Sequence, residues 1–287
     1  MIIFKKTGEL QQYLAPFRQK DKGRLTGIGF VPTMGALHDG HLSLLKTSAQ
    51  ENRLSICSIF VNPAQFNDPN DFKKYPSTLE QDILKLETNG CDILFLPDVE
   101  EIYPHGIDKK KHYDLGYLET ILEGEFRPGH FQGVCMAVEK LLLIVRPDKL
   151  YLGQKDYQQC MIITRLIRLM GLEKEIGIKI CPILREKDGL AMSSRNMLLD
   201  QEQRARAPAL YETLIFLNQN IGKGSLADLK KEAIHLLQKK GFKPDYVEIA
   251  GAETLKPINE WDARRNIFGL VAAYNGSVRL IDNMLLN

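Results

Sequence analysis

Two histidines stand three residues apart where an apolar run gives way to a helical pattern. His38 and His41 enclose Asp39-Gly40 and follow the run 26–31, which predicts a buried strand. Residues three apart face the same side of a helix, and the free N–H groups and dipole of a helix N-terminus suit a phosphate. The pattern therefore favours a phosphate site. An isolated motif leaves a metal site and two surface histidines open as alternatives.

Other residues with suitable chemistry follow later predicted strands. Lys155 comes just after the predicted strand 149–152, where a lysine would provide a point charge for a phosphate. Gln65 follows the predicted strand 54–61, and Gln159 lies one helical turn beyond Lys155. Neutral amides bind the hydroxyl and carboxylate oxygens of a hydroxy acid without neutralising a nucleophilic charge. Taken singly each would be a surface side chain, so their positions carry the argument.

Strand and helix patterns alternate along the first two-thirds of the chain. The predicted strands are 26–31, 54–61, 91–96, 149–152 and 176–184, and the predicted helices are 40–52, 78–89, 134–145 and 157–170. This alternation predicts an α/β fold with a doubly wound, Rossmann-like, mostly parallel sheet. Because ligands of such sheets bind beyond the carboxyl ends of the strands, the chemistry is expected there.

The last hundred residues follow a different pattern. Helices are predicted at 201–218 and 226–239, followed by strands at 246–250, 267–274 and 277–281. Asn275-Gly276, between the last two strands, is a strong hairpin signal. We therefore predict two domains, a Rossmann-like domain over 1–187 and a smaller α+β domain over 188–287.

Composition narrows the class of protein. The chain has 287 residues with 38 Lys+Arg against 36 Asp+Glu, so it lacks the basic excess of an electrostatic nucleic-acid binder. No apolar run approaches the roughly 20 residues that span a bilayer, and the N-terminus lacks the pattern of a signal peptide. Five scattered cysteines form no C-x-x-C pair and predict neither a zinc site nor a disulfide framework. We expect a cytoplasmic protein that contacts neither membrane nor nucleic acid.

Six segments, in order, resemble the pantoate–β-alanine ligase (pantothenate synthetase) family. His38-Asp39-Gly40-His41 is similar to the His-x-Gly-His signature of the nucleotidyltransferase superfamily that contains this family. The six similar segments are 31–41, 58–66, 75–78, 127–131, 153–159 and 189–196. One segment alone would be weak evidence, whereas six in the same order make coincidence implausible.

The resemblance implies an ATP-dependent ligase. Pantoate and ATP would give pantoyl adenylate and pyrophosphate, and the amine of β-alanine would then attack to give pantothenate and AMP. The resemblance also implies Mg²⁺, bound mainly through substrate phosphates, and a homodimer; Asp82 is a conceivable outer ligand of the metal. A nucleotidyltransferase that makes a stable adduct and a non-enzymatic nucleotide-binding regulator are the competing hypotheses.

The same resemblance assigns the site residue by residue. Its ATP site would comprise Met34, Gly35, Ala36, Leu37, His38, Asp39, Gly40, His41, Gly153, Gln154, Lys155, Asp156, Leu184, Met192, Ser193, Ser194 and Arg195. The catalytic subset would be His38, His41, Lys155, Ser193, Ser194 and Arg195, with no protein-held metal. Substrate contacts would come from Gln65, Gln159 and, more weakly, Asn62, and a lid or wall from Arg127 and His130.

Two points stay open within this assignment. His41 could serve as a proton donor or as an imidazolium that stabilises charge on the transferring phosphoryl group. Gln154 stands where the family usually has Glu. A contact made by the backbone at this position would survive that change, and one that needs a carboxylate would not.

Overall fold

The computed structural model describes residues 1–18, 27–67, 69–108 and 110–286, with the side chains of 69–71 excepted. The chain divides into two compact units. The first comprises Met1–Gly153 and Gln159–Pro182, and the second comprises Gln154–Gln158 and Ile183–Asn287. The chain therefore passes between the units more than once. The single division after residue 187 stays a prediction about domains.

Parallel strands form the sheet of the first unit. Within the described residues they are β1 (Ile2–Phe4), β2 (Ile28–Thr33), β3 (Leu54–Ile59), β4 (Ile93–Phe95), β5 (Lys149–Gly153) and β6 (Gly177–Cys181). Their order is β1-β4-β3-β2-β5-β6, and every neighbouring pair is parallel. The predicted α/β fold with a doubly wound parallel sheet is confirmed.

Helices connect these strands and continue into the second unit. The helices of the described residues are α1 (Thr7–Leu14), α2 (Asp39–Glu51), α3 (Pro69–Lys74), α4 (Leu79–Thr88), α5 (Val99–Ile102), α6 (Glu123–Phe126), α7 (His130–Val145), α8 (Tyr157–Leu169), α9 (Gln201–Arg206), α10 (Ala209–Asn220) and α11 (Leu226–Lys239). Short 3-10 helices span Ala15–Arg18, Pro63–Gln65, Gly116–Glu119, Gln154–Asp156 and Ser194–Leu198. Within the described residues, no helix combines the length and apolar character needed to cross a membrane.

The centre of the parallel sheet is buried on both faces. All six residues of β3 are buried, which explains why its apolar residues occur on both faces rather than alternating with exposed polar ones. On α2, the buried residues Leu42, Leu45 and Ser48 recur at helical spacing. Because the centre of the sheet is packed on both faces, the carboxyl ends of its strands are held in fixed positions.

The direction of strand addition reverses beside β2. From β2 the chain adds β3 and β4 on one side, and it then returns to place β5 on the other side. In open α/β sheets such a reversal leaves a crevice at the carboxyl ends of the strands, where ligands bind. The segment with His38 and His41 leaves the sheet at this point.

The second unit has its own antiparallel sheet and core. Its strands are β7 (Lys243–Gly251), β8 (Ile267–Asn275) and β9 (Val278–Leu285), in the order β7-β8-β9. Leu210, Leu214 and Leu217 of α10 are buried in one apolar cluster with Val247 and Val271 of the sheet. Burial of a helix stripe against one sheet face stabilises this unit.

The structure corrects three local predictions. The helix predicted over 201–218 is two helices, because Pro208 has no N–H to donate and its ring clashes with the preceding turn. The hairpin turn is Gly276–Ser277 rather than Asn275-Gly276, since Asn275 pairs with Val278 and Gly276 takes φ +61°. The strand predicted over 26–31 is Ile28–Thr33, and residue 26 lies outside the described residues.

Candidate active site

The loop after β2 is held from below by a buried carboxylate. The amides of Ala36 and Leu37 donate to Asp82 Oδ2 and Oδ1, each at 2.8 Å. Gly35 and Ala36 both have positive φ, +82° and +51°. Because these two amides are already bonded, they do not offer their N–H groups to a nucleotide. Met34, Gly35, Ala36 and Leu37 stay predicted ATP-site residues, with Ala36 and Leu37 almost fully buried.

His38 and His41 begin helix α2 as a stacked pair. His38 is the N-cap residue, and its ring centroid lies 4.0 Å from that of His41. The backbone N–H of His38 points to His41 Nδ1 at 3.4 Å. Since a backbone N–H can only donate, Nδ1 is the acceptor and neutral His41 carries its proton on Nε2. Nε2 of this ring is therefore a hydrogen-bond donor.

The first turn of α2 leaves donors open beside these rings. The backbone N–H groups of Asp39 and Gly40 meet no acceptor among the described residues. Orphan amides at a helix N-terminus, together with the helix dipole, attract an anion. The start of α2 therefore has the donors that phosphate oxygens would need, as the sequence predicts.

Asn62 lies after β3 and has its hydrogen-bonding capacity filled. Its Nδ2 donates to Gln65 Oε1 and to Gly133 O, both at 3.0 Å. Its Oδ1 accepts from Tyr103 Oη at 2.8 Å and from Ala64 N at 3.2 Å. Two donors and two acceptors exhaust a side-chain amide. The structure therefore uses Asn62, predicted as a weak substrate ligand, to hold its neighbours.

Gln65 has its amide head fixed from two sides. Its Oε1 receives the bond from Asn62, and its Nε2 contacts Met34 Sδ at 3.1 Å. The head group thus lies between the loops that follow β2 and β3. One N–H and one lone pair of this amide remain for a ligand among the described residues.

Arg127 and His130, predicted to form a lid or wall, are hydrogen-bonded beside Gln65. His130 Nδ1 lies 2.8 Å from Gln65 O, and Arg127 Nη1 lies 3.1 Å from His130 Nε2. Because a guanidinium only donates, His130 Nε2 accepts and the Nδ1–H donates to the carbonyl. His130 is only 6% exposed. This anchoring favours the wall over the lid among the two predicted roles.

Gln159 lies on the first part of α8, after β5. Its side chain is half-buried, and its amide meets no partner among the described residues. Gly153 is the last residue of β5. Gln159 therefore has a full set of hydrogen-bonding groups left for a ligand.

In the second unit, one asparagine anchors the segment that carries Lys155. Asn283 Nδ2 donates to the carbonyls of Gln154 and Lys155 at 3.0 and 2.9 Å, and its Oδ1 accepts from Gln154 Nε2 at 3.3 Å. Lys155 is mostly buried and lies 3.8 Å from Asp156 Oδ2. The Gln154 side chain thus contacts Asn283, and Gln154 stays a predicted ATP-site residue.

A second anchored segment in this unit carries the serines. Met192 N donates to Leu184 O at 3.0 Å. Ser193 caps the 3-10 helix Ser194–Leu198, because its Oγ accepts from Arg195 N at 3.3 Å. The Ser193 hydroxyl proton remains available to a ligand, and Ser194 is buried.

An ion pair supports the base of this segment. Arg185 donates from Nη1 and Nη2 to the two Asp282 oxygens at 2.6 and 3.0 Å, and its guanidinium lies over the Tyr211 ring. Asp282 is almost fully buried, and burial raises the pKa of its carboxyl while the Arg185 guanidinium opposes that shift. This bidentate, buried ion pair fixes the orientation of the Arg185 guanidinium relative to the Asp282 carboxylate.

Sequence reasoning missed several of these supporting residues. Asp82 was considered only as an outer metal ligand, and its spacing from the loop it holds gave no local signal. Asn283 and Asp282 lie in the C-terminal segment, where no motif was usable. Tyr103 was not singled out, and Gly133 was predicted only as the end of the loop segment 123–133, whereas it lies within α7.

The topology and site together define a class of protein. A parallel α/β sheet with a histidine-capped, open helix N-terminus at its switch point is a nucleotide-binding architecture. The chain matches the family model Pantoate-beta-alanine ligase over residues 2–285 and belongs to this family.

Known pantothenate synthetases are similar to this chain over most or all of its length. A pantothenate synthetase of Cytophaga hutchinsonii is 44% identical over 289 residues, covering 100% of this chain and 99% of that protein. One of Thermus thermophilus is 43% identical over 263 residues, covering 90% of this chain and 92% of that protein.

Solved structures agree as well. A crystal structure of pantothenate synthetase from Thermus thermophilus has a TM-score of 0.89 at 39% identity, covering 100% of this chain and 99% of that one. The ligase from Francisella tularensis, complexed with "Beta-gamma ATP and Beta-alanine", has a TM-score of 0.81 at 39% identity, covering 100% and 98%. The predicted family, fold class and pantoate–β-alanine ligase activity are confirmed. The residue-level site assignments stay predictions.

Proposed function

We propose that the chain joins (R)-pantoate to β-alanine in two steps, through pantoyl adenylate. In the first step a pantoate carboxylate oxygen attacks the α-phosphorus of ATP, and the bond to pyrophosphate breaks. In the second step the β-alanine nitrogen attacks the acyl carbon, AMP leaves and the nitrogen loses a proton. The observation that carries this proposal is the start of α2, where open amides and a histidine donor meet at the switch point of a sheet.

The first step builds negative charge on phosphoryl oxygens. The amides of Asp39 and Gly40 are fixed donors for such oxygens, and the Nε2–H of His41 would add a donor near them. We assign phosphate contacts also to His38, Lys155, Ser193, Ser194 and Arg195. The remaining predicted ATP contacts are Gly153, Gln154, Asp156, Leu184 and Met192.

Pantoate needs to be held with its carboxylate still charged. Gln65 and Gln159 would bind its hydroxyl and carboxylate oxygens as neutral amides. The fixed head of Gln65 lowers the entropy lost on binding, because Asn62 and Met34 already hold it. We assign Asn62 to holding Gln65, and Arg127 and His130 to the wall that excludes water from the adenylate.

We also infer that Mg²⁺ binds with ATP. Among the described residues, no group of three or more His, Cys, Asp and Glu side chains is placed to hold a metal ion. A cation held mainly by the nucleotide's phosphates fits this donor set. Mg²⁺ would neutralise phosphate charge as pyrophosphate leaves, and removing it with EDTA is expected to abolish adenylation.

The assembly and location of the protein are part of the same proposal. We infer a homodimer in the cytoplasm. The five cysteines are all buried thiols, which suits a reducing compartment. Light scattering coupled to size exclusion would test the dimer, and fractionation of cells would test the location.

The experiment that tests the two-step proposal is ATP–pyrophosphate isotope exchange without β-alanine. Exchange that requires pantoate would establish the acyl adenylate. Absence of exchange, from folded protein that binds ATP and makes pantothenate with both acids present, would contradict the adenylate route.

Replacing His41 with Gln tests the catalytic assignment. We expect pantoate-dependent exchange to fall by at least about 100-fold, because a fixed donor to the transferring phosphoryl group is lost. His235→Gln, on the exposed face of α11, is the matched control and should retain the wild-type rate. Equal rates in the two variants would remove His41 from the mechanism.

A further inference from the structure

Helix α4 and its N-cap residue carry three polar side chains beside the loop that follows β2. Thr78, Asp82 and Lys85 are spaced by four and three residues, so they share one helix face. Thr78 Oγ1 donates to Asp82 Oδ1 at 3.0 Å, and Lys85 Nζ donates to Leu37 O at 2.6 Å. Asp82 is only 1% exposed. Helix α4 and the loop after β2 are therefore joined by specific side-chain hydrogen bonds.

The carboxylate of Asp82 holds two consecutive amides of the loop. Ala36 N and Leu37 N each donate to a different oxygen at 2.8 Å. Successive amides turned to one side make a concavity that binds an anion, and here an internal carboxylate fills it. The concavity is therefore closed to ATP.

The loop conformation needs such support. Ala36 has φ +51°, which its Cβ disfavours. Gly35 has φ +82°, and a Cβ there would lie 3.1 Å from Ile59 Cγ2 and 3.2 Å from Asp82 Oδ2. The loop is thus packed tightly against the group that holds it.

The loop leads directly to the two histidines. Leu37 is joined to His38, which caps α2 and directs its own N–H to His41 Nδ1. A shift of the Leu37 amide would move the His38 backbone and with it the donor direction of His41. Asp82 is bonded to the loop amides, so it would act through the backbone.

We propose that Asp82 is a positioning residue for the adenylation step, and that it works by clamping the amides of Ala36 and Leu37. This inference rests on the proposed function. Asp82 Oδ1 accepts from Leu37 N and Thr78 Oγ1, and Oδ2 accepts from Ala36 N, so the carboxylate is bonded directly to the loop.

Asp82→Asn tests the clamp with little change of shape. Its NH₂ group would face a backbone N–H, so one loop amide loses its acceptor. The matched control is Asp148→Asn, because Asp148 Oδ2 likewise accepts a backbone N–H, that of Ile28, at the opposite end of β2. Both half-reactions are measured on each sample: ATP–pyrophosphate exchange with pantoate, and AMP release from synthetic pantoyl adenylate with β-alanine.

We expect Asp82→Asn to slow exchange by about 10- to 100-fold, since small misplacements of catalytic groups cost rates of that order. AMP release should fall much less, because pyrophosphate departs only in the first step. The ratio of the two rates does not depend on the folded fraction, so it separates positioning from stability. Asp148→Asn should leave this ratio at the wild-type value.

Two results would overturn the inference: an unchanged ratio in Asp82→Asn, or the same fall of the ratio in Asp148→Asn. If Asp82→Asn does not fold, Thr78→Val removes only the hydroxyl donor to Oδ1 and must lower the same ratio. Absence of exchange in the wild-type enzyme would contradict the proposed two-step function instead, and it is recorded before any variant is compared.

Discussion

Asn62 and Gln65 carry the same functional group, and the structure uses them differently. Asn62 is 1% exposed and has four protein hydrogen bonds, whereas Gln65 keeps part of its amide for a ligand. Tyr103 completes the Asn62 set, and burial raises the pKa of its phenol well above the usual range. The hydroxyl is therefore a constant donor that helps to hold Asn62, and through it Gln65.

Gln154 provides a residue-scale prediction. Asn283 donates both hydrogens of its Nδ2 group to the carbonyls of Gln154 and Lys155. Its Oδ1 therefore faces the side-chain Nε2 of Gln154. We expect Gln154→Glu to place a carboxylate against that oxygen and to lower the free energy of unfolding by about 1 kcal/mol, with a higher KM for ATP. Urea unfolding and initial rates measure both quantities. Gln154→Ala, which adds no charge, should cost less, and a more stable Glu variant would contradict this account.

Glu51 gives the protein an acid-sensitive ion pair. Its side chain accepts from Lys149 Nζ and Tyr151 Oη and pairs with Lys179, and these contacts, Lys149 first, lower its pKa from 4.5 to about 2. Because the pKa is depressed in the folded protein, the stabilisation is present above about pH 4.5 and is lost as the pH falls towards 2. We expect Glu51→Gln to lose stability less steeply than wild type over this window.

Urea midpoints measured from pH 6 to pH 2 would test the Glu51 prediction. Glu9→Gln, at an exposed position of α1 with no ion pair among the described residues, is the matched control and should follow the wild-type curve. Parallel curves for Glu51→Gln and wild type would show that the ion pair has no part in acid sensitivity.

At the scale of elements, helix α7 and the 3-10 helix Pro63–Gln65 are packed backbone to backbone. A Cβ at Gly133 would lie 2.1 Å from Ala64 O and 2.7 Å from Gln65 Cα. The carbonyl of Gly133 also accepts from Asn62. Glycine at this position therefore sets the distance between the helix and the loop that carries Gln65.

Gly133→Ala should push this loop away from α7. We expect a loss of about 1–3 kcal/mol in stability, the usual cost of overpacking, and a higher KM for pantoate because Gln65 moves. Gly8→Ala is the matched control, since Gly8 lies in α1 with nothing within 4 Å of its added Cβ. Calorimetry and initial rates would measure both effects, and an unchanged pantoate KM would disprove the link to Gln65.

At the scale of the whole molecule, the second unit is built from two separate stretches of chain. Gln154–Gln158 belongs to it although the chain returns to the first unit afterwards. Tyr157 stacks on Phe268 with centroids 4.4 Å apart and donates to Ala252 O at 2.9 Å. A fragment that begins at Ile183 would lack these contacts.

We predict that fragment 183–287 is less stable than the same unit in the intact chain by at least about 2 kcal/mol, because an aromatic pair and several hydrogen bonds are missing. Trp261 is the single tryptophan of the chain, so its fluorescence reports the unfolding of this unit. Tyr157→Ala in the intact chain should shift the same signal in the same direction. Equal urea midpoints for fragment and intact chain would refute the prediction.

Local patterns in the sequence were sufficient for much of the architecture. Alternation of apolar runs with helical stretches predicted β2 to β6, because burial on both faces of a parallel sheet imposes continuous apolar runs. The edge strand β1 was missed, since Ile2–Phe4 is too short for a period and leaves Ile2 and Ile3 about two-fifths exposed. Pro208 divided a helix that periodicity alone had joined.

The sequence by itself determined the family, the His38–His41 helix start and the order of the strands along the chain, because each depends on residues close together in the chain. The tertiary structure alone decided which groups hold the site in place. Asp82 lies 46 residues from Ala36, and Gln154 lies 129 residues from Asn283. Such partners meet only when helices and strands pack, and no local spacing specifies which buried donor will face which acceptor.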